Sequence, residues 1–341
     1  MSKYAHALDS LKSQPRTWLI TGVAGFIGSH LLEALLKLGQ RVTGLDDFST
    51  GSKNNLTEVQ WLVGAGAWKN FRLVEGSVCD LPLCREAVRS ADFVLHQAGF
   101  VSVPQSIEDP LACNRTNVDG FVNMLVAAHA AGVQGFVYAS SSAVYGDDAT
   151  MPKVEEKIGA PLSPYGASKW IDEIYAAVFQ KTHTFGTTGL RYFNIFGPRQ
   201  NPGGGYAAVI PKWITTLAKN EPCVINGDGG ITRDFCHVEN VVQANILAAT
   251  ANDRTAAKVY NVAFGQRSTL LELHGFIAGK LKGRNLPLPP ESPVYEAFRP
   301  GDILHSGADI SKIRSELGYE PSVDLDAGLK NTVGWYLANS A

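Results

Sequence analysis

Thr17-Trp-Leu-Ile-Thr-Gly22-Val-Ala-Gly25-Phe-Ile-Gly28-Ser-His-Leu-Leu-Glu-Ala-Leu-Leu-Lys37-Leu-Gly39, followed by Arg41-Val-Thr-Gly-Leu45-Asp46-Asp47, decides the fold of this chain. The run Thr17–Thr21 reads as a short buried strand. Ser29 to Leu38 then has the spacing of an amphipathic helix, closed by Gly39. Between them, glycines at 22, 25 and 28 let the backbone turn tightly and approach a pyrophosphate, whose charge meets the helix N-terminus. The second strand ends in Asp46, about 20 residues on, where an acid accepts from the adenosine ribose hydroxyls. That acid also repels a 2′-phosphate, which favours NAD over NADP. A lone glycine triad is weak evidence, and a lone strand-end acid is usually surface. Their order along the chain makes them informative together.

Working outward, further apolar strands fall at Phe71–Val74, Phe93–His96, Gly135–Ala139 and Thr188–Tyr192, separated by helical stretches such as Gly120–Ala131 and Ser168–Gln180. Alternating strands and helices imply an α/β fold, a Rossmann-like doubly wound parallel sheet with helices on both faces. Tyr4–Lys12 reads as a short amphipathic helix ahead of it. From Asn194 onward the pattern loosens, and a linker-like run, Leu286–Pro293, separates later helices. The expected organisation is a nucleotide-binding domain over residues 1–193 with a return segment at about 236–265. A smaller mixed α/β substrate-binding lobe takes 194–235 and 266–341.

Composition narrows the partners. A formal net charge of -2 gives no general attraction to nucleic acid or to an anionic membrane, so an anionic substrate needs local cations. The five cysteines are scattered, without a C-x-x-C pair or metal-ligand spacing, which favours reduced thiols, no metal and a cytoplasmic protein. Phe121–Ala139 is the most apolar stretch, but Asn123, His129 and Gln134 interrupt it, so no membrane span is expected.

Tyr165 and Lys169 lie four apart at the start of a helix, on one face. A phenol with a pKa near ~10 is a poor base at neutral pH, and a neighbouring ammonium with a nicotinamide cation would stabilise its phenolate. Such a pair alone is usually surface decoration. Here it accompanies Ser140-Ser-Ser-Ala-Val-Tyr145-Gly146 at a strand end. With Gly-x-x-Gly-x-x-Gly at 22–28, these segments resemble the extended short-chain dehydrogenase/reductases. The resemblance implies a triad of Ser141, Tyr165 and Lys169, with Ser140 and Ser142 as secondary substrate contacts. It also implies an NAD site from Gly22, Gly25, Phe26, Ile27 and Gly28, with Asp46, Ser49, Thr50 and Gly51 at the second strand. Ser77 and Val78 stand where many relatives carry an adenine-binding acid; Gln97, Ala98, Asn117 and Tyr192 complete the lining. Dehydratases of this family carry Thr-Asp-Glu in the catalytic turn, and decarboxylases often carry Thr-Ser-Glu. Ser141-Ser142-Ala143 has no carboxylate, which fits hydride transfer without elimination.

Later segments are similar to UDP-hexose 4-epimerases over nearly the whole chain. The resemblance implies diphosphate contact by Asn194, uracil enclosure by Ala208, Val209, Val224 and Asn226, and phosphate pairing by Arg233 and Arg299. It also assigns Asp302 to the ribose. Ser306 stands where some UDP-galactose epimerases carry a tyrosine, and its small size leaves room for an N-acetyl group. In this the chain resembles bacterial UDP-N-acetylglucosamine 4-epimerases of polysaccharide pathways, some acting on uronic acid forms. Val101–Gln105 lacks that group's glycine and arginine, and Pro202–Tyr206 lacks its asparagine. The resemblance also implies a homodimer through two helices per subunit, with Gly120–Ala131 and Ser168–Gln180 as candidates whose apolar faces could equally be core. The alternatives are a UDP-glucose 4-epimerase, another sugar-nucleotide dehydratase, decarboxylase or reductase, and a non-catalytic dinucleotide-binding module.

Overall fold

The computed structural model describes residues 1–203, 208–251, 256–282, 292–298 and 304–339. Its centre is a sheet of seven parallel strands, numbered here in chain order: β1 (Thr17–Thr21), β2 (Arg41–Asp46), β3 (Phe71–Glu75), β4 (Phe93–His96), β5 (Gly135–Ser141), β6 (Thr187–Tyr192) and β7 (Lys258–Val262). They stand in the order β3-β2-β1-β4-β5-β6-β7, so the direction of winding reverses between β1 and β4. A crevice opens at such a reversal, beyond the carboxyl ends of the strands. The doubly wound α/β expectation is borne out.

Both faces of the sheet are covered, which is why its strands are continuous apolar runs rather than alternating ones. Trp18 and Ile20 point into one core with Leu31, Leu32, Leu35 and Leu36 of helix Phe26–Lys37 and with Val241 of helix Val238–Thr250. Leu19, between them, points into the opposite core with Phe121, Met124 and Leu125 of helix Gly120–Ala130. The N-terminal helix Lys3–Ser13 lays Ala7 and Leu11 on the first core. Beyond β6 the chain returns once, through Val238–Thr250 and β7.

Helix starts differ from the sequence expectation. The helix after β1 begins at Phe26 rather than Ser29, because Gly25 already occupies the extended cap position. The helix that carries Tyr165 and Lys169 runs Pro164–His183 because Ser163 Oγ accepts from the Gly166 N–H and Pro164 presets the first turn. A π-turn at Arg115–Asp119 was not anticipated.

A third core joins helices Val209–Ala218, Leu270–Leu281 and Leu325–Asn339 through Trp213, Ile214, Ile277, Leu329 and Val333. Short strands fringe it: Val224–Asn226 pairs with Val294–Glu296, and Thr232–Arg233 pairs with His305–Ser306. The Leu286–Pro293 run falls largely outside the described residues.

Candidate active site

A cleft of ≈ 1270 Å³ lies at the reversal point, lined by the glycine turn, the end of β2, the end of β5 and the start of helix Pro164–His183. Gly22 has φ +68°, and a Cβ there would stand 2.8 Å from the Ala98 nitrogen. A Cβ on Gly28 would stand 2.0 Å from the Gly22 carbonyl oxygen. The turn is therefore closed to larger residues on backbone grounds. Gly25 caps helix Phe26–Lys37 without a side chain, leaving the first-turn N–H groups for an anion. Asp46 is buried; its Oδ2 accepts from Ala24 N–H at 2.8 Å and its Oδ1 from Phe48 N–H at 2.9 Å. Burial, with help from Asp47, pushes its carboxyl up against those two bonds. Asp47 feels burial too, but the Ser49 hydroxyl and N–H, with the Ser77 hydroxyl, hold it below its ordinary range. These residues fit a dinucleotide: a cradle without Cβ atoms, an uncapped helix start and an acid at the strand end.

On the other wall, Ser141, Tyr165 and Lys169 line the same cleft. Tyr165 is anchored through its backbone, whose N–H donates to Ser106 Oγ at 3.1 Å. Ser141 Oγ accepts from Ala143 N–H at 3.1 Å, so its own proton remains for an acceptor in the cleft. Ser140 differs. Its hydroxyl donates to Glu173 Oε1 at 2.6 Å, and Glu173 forms a bidentate pair with Arg191, at 2.9 and 2.7 Å. Ser142 opens the single-turn helix Ser142–Tyr145, away from the cleft lining.

Gln97 and Tyr192 also line the cleft, and they are held by partners distant in sequence. Tyr192 Oη donates to Gln97 Oε1 (3.0 Å), Gln97 Nε2 to Asn245 Oδ1 (3.1 Å), and Asn245 Nδ2 to Tyr192 Oη (2.9 Å). Burial raises the Tyr192 phenol, so it stays a neutral member of that closed ring. Asn117 sits in the π-turn and clamps the cleft loop: Phe100 N–H donates to its Oδ1 at 2.6 Å, and its Nδ2 donates to Phe100 O and Ser168 Oγ. It stands behind the cleft lining rather than in it. Burial first, then the Lys169 charge, pushes His96 down to about 3, leaving a neutral ring bonded to Thr21 Oγ1.

On the lobe side, Asn194 and Ala208 line the cleft, Asn194 with φ +40° and its Nδ2 donating to Asp234 O. Val209, Val224, Asn226, Arg233 and Ser306 lie outside the lining, although register sets Arg233 opposite Ser306. Arg299 and Asp302 lie outside the described residues, as does Tyr206. Three residues not foreseen contribute to the site. Arg199, buried at φ +64°, donates to Glu33 Oε2 (2.6 Å) and meets His30 Nδ1 (2.8 Å), tying the 195–203 loop to helix Phe26–Lys37. Trp335 donates to Glu58 Oε1 at 2.8 Å, tying the C-terminal helix to helix Lys53–Trp68. Asn245 is the third. Among the described residues, no cluster of His, Cys, Asp and Glu is arranged to hold a metal, and no helix is long and apolar enough to cross a membrane.

Residues 18–263 match the NAD dependent epimerase/dehydratase family. UDP-glucose 4-epimerase of Mycolicibacterium smegmatis is 33% identical over 320 residues, covering 93% of this chain and 97% of its own length. The solved UDP-N-acetylglucosamine 4-epimerase of Methanobrevibacter ruminantium, in complex with UDP-N-acetylmuramic acid, superposes with a TM-score of 0.87 at 34% identity, covering 95% of this chain and 99% of that one. UDP-glucose 4-epimerase of Thermotoga maritima with UDP-glucose gives 0.85 at 32% identity, covering 95% and 100%.

Proposed function

Because the chain belongs to the NAD dependent epimerase/dehydratase family, we propose that it interconverts UDP-N-acetylglucosamine and UDP-N-acetylgalactosamine by inverting C4. NAD-dependent inversion of a UDP-sugar is supported by relatives matched along nearly their whole length. One observation carries the reaction type. Ser141, Tyr165 and Lys169 share a cleft whose catalytic turn, Ser141-Ser142-Ala143, holds no carboxylate for elimination or decarboxylation.

When bound, NAD supplies a reversible hydride acceptor. Tyr165 Oη takes the proton of the sugar O4 and later returns it, while Ser141 Oγ orients the same oxygen. The Lys169 ammonium would hold the cofactor ribose and favour the phenolate. Both epimers must fit, so the diphosphate is held firmly and the sugar loosely. In this reading residues 1–193 with about 236–265 hold the cofactor, and 194–235 with 266–341 hold the nucleotide sugar.

Likeness to the Methanobrevibacter enzyme favours the acetylated sugar, as does the small Ser306, which lies outside the cleft lining but opposite Arg233, in the segment that the family resemblance assigns to the nucleotide sugar. The purified protein is expected to turn over UDP-GlcNAc, and its uronic acid form if the pocket accepts it, faster than UDP-Glc. Ser306→Tyr should abolish turnover of the acetylated sugars while sparing UDP-Glc, read by chromatography of the nucleotide sugars. Equal loss on all substrates would undermine the pocket argument. Release of water, CO2 or net NADH would sink epimerisation itself.

The homodimer belongs to the same proposal, with a revised surface. Helix Gly120–Ala130 spends Phe121, Met124 and Leu125 on the core. Among the exposed apolar residues, Ile107 and Leu111, with Ile174, Tyr175 and Val178 of helix Pro164–His183, stand on elements that pack together. Sedimentation of the wild type should give a dimer, and Leu111→Glu with Ile174→Glu a monomer. A monomeric wild type overturns it.

A further inference from the structure

Tyr165, Lys169 and Asp172 follow one another on a single face of helix Pro164–His183, at spacings of four and three residues. The Lys169 Nζ is 3.3 Å from Asp172 Oδ2, with side chains 4% and 1% exposed. Among the described residues, Asp172 Oδ1 finds no hydrogen-bond partner, although it is buried. A carboxylate left half-satisfied in the interior is costly, so the position calls for a duty beyond packing.

The neighbouring acid has a different task. Glu173 forms the fork with Arg191 and accepts from Ser140, so its charge is spent on joining β5, β6 and the helix. Among the described residues, Lys169 is the cation paired with Asp172. The other titratable groups around it are Tyr138 on β5, Cys113 on helix Pro110–Asn114 and, across Lys169, His96 on β4. Burial raises Tyr138 and Cys113 and lowers His96, so all three are uncharged near neutrality. The field at the inner end of the cleft is therefore set by the Lys169–Asp172 pair.

We infer that Asp172 is a positioning residue for Lys169: it anchors the ammonium from behind and weakens the positive field that Lys169 exerts at the Tyr165 phenol. The inference rests on the reading of Tyr165 as the proton-transfer group. Burial, opposed by Lys169 and reinforced by Glu173, pushes the Asp172 carboxyl up to about 7. The restraint is thus lifted below neutrality, where the carboxyl is protonated, and imposed above it, where the carboxylate forms. The sign follows: a negative charge removed from beside the ammonium lowers the phenol pKa, and the acid limb of the rate profile moves to lower pH.

Asp172→Asn removes the charge and keeps the shape. With the NAD-loaded enzyme, the Tyr165 phenol is titrated by ultraviolet difference absorbance against Tyr165→Phe, and kcat/KM is followed over the same pH range. The phenol midpoint should fall by about half to one unit in Asp172→Asn. Asp172→Glu should return it toward the wild type. Asp172→Ser, a smaller polar side chain without the charge, should behave as Asn does and serves if the amide disturbs folding. An unchanged or raised midpoint in a folded variant overturns the inference, even if thermal stability drops. A midpoint that falls without any movement of the acid limb upholds the Asp172 effect and refutes Tyr165 as the base instead.

Discussion

Tyr165→Phe is expected to lower UDP-sugar epimerisation by about 10²–10⁴-fold, the usual contribution of a positioned acid–base group, while leaving the fold and bound NAD in place. Only the phenolic oxygen is removed. The anchor of this residue is its backbone N–H to Ser106, and the Lys169–Asp172 pair does not depend on it. The glycine turn and Asp46, which fit the dinucleotide, stand on the opposite wall. Loss should therefore appear equally in kcat and kcat/KM, because the proton moves only in the transition state. Three measurements on one preparation decide it: turnover of UDP-GlcNAc, NAD released on denaturation, and the melting curve. Full biological activity in this variant would favour a non-catalytic dinucleotide-binding module instead. A lost cofactor or an early melt would mean that the hydroxyl supports structure rather than chemistry.

The sheet was legible in the sequence because strands covered on both faces must be apolar at every position, as Trp18, Leu19 and Ile20 are. The glycine turn was legible because its small residues are forced by backbone contacts that any chain in this conformation would make. Family likeness through Ser141, Tyr165 and Lys169 is borne out by the match over residues 18–263. Other features were hidden for a common reason. Arg199 meets His30 and Glu33 across more than 160 residues of chain, and Asn245 closes its ring with Gln97 across 148. Neither pairing has a local periodicity. The face of each side chain in the Ser140–Ser142 run depends on where β5 ends, so the commitment of Ser140 to Glu173 had no sequence signal. The strands that fringe the third core have two or three residues each, too short to show alternation.

Gly28→Ala is expected to destroy cofactor binding and to lower stability together. The added Cβ would lie 2.0 Å from the Gly22 carbonyl oxygen, 2.8 Å from its carbon and 2.9 Å from Val23 Cα. All three are backbone atoms, so no side chain can rotate aside. Either helix Phe26–Lys37 backs away from β1 or the turn opens. Leu31, Leu32, Leu35 and Leu36 are fully or almost fully buried against the sheet, so helix displacement strains a packed core, at about 1–3 kcal/mol. Either movement also carries the Phe26 and Ile27 N–H groups away from the position that receives a pyrophosphate. A wild-type melting curve rises with added NAD, because a ligand that binds the native state stabilises it. Gly28→Ala should melt early and show no such rise. The control is Gly66→Ala, in helix Lys53–Trp68, where a Cβ meets nothing within 4 Å; it should match or slightly exceed wild-type stability and keep the NAD response. A normal NAD-dependent rise in Gly28→Ala would mean that the turn yields without cost, and the cradle would then have to be sought elsewhere in the cleft.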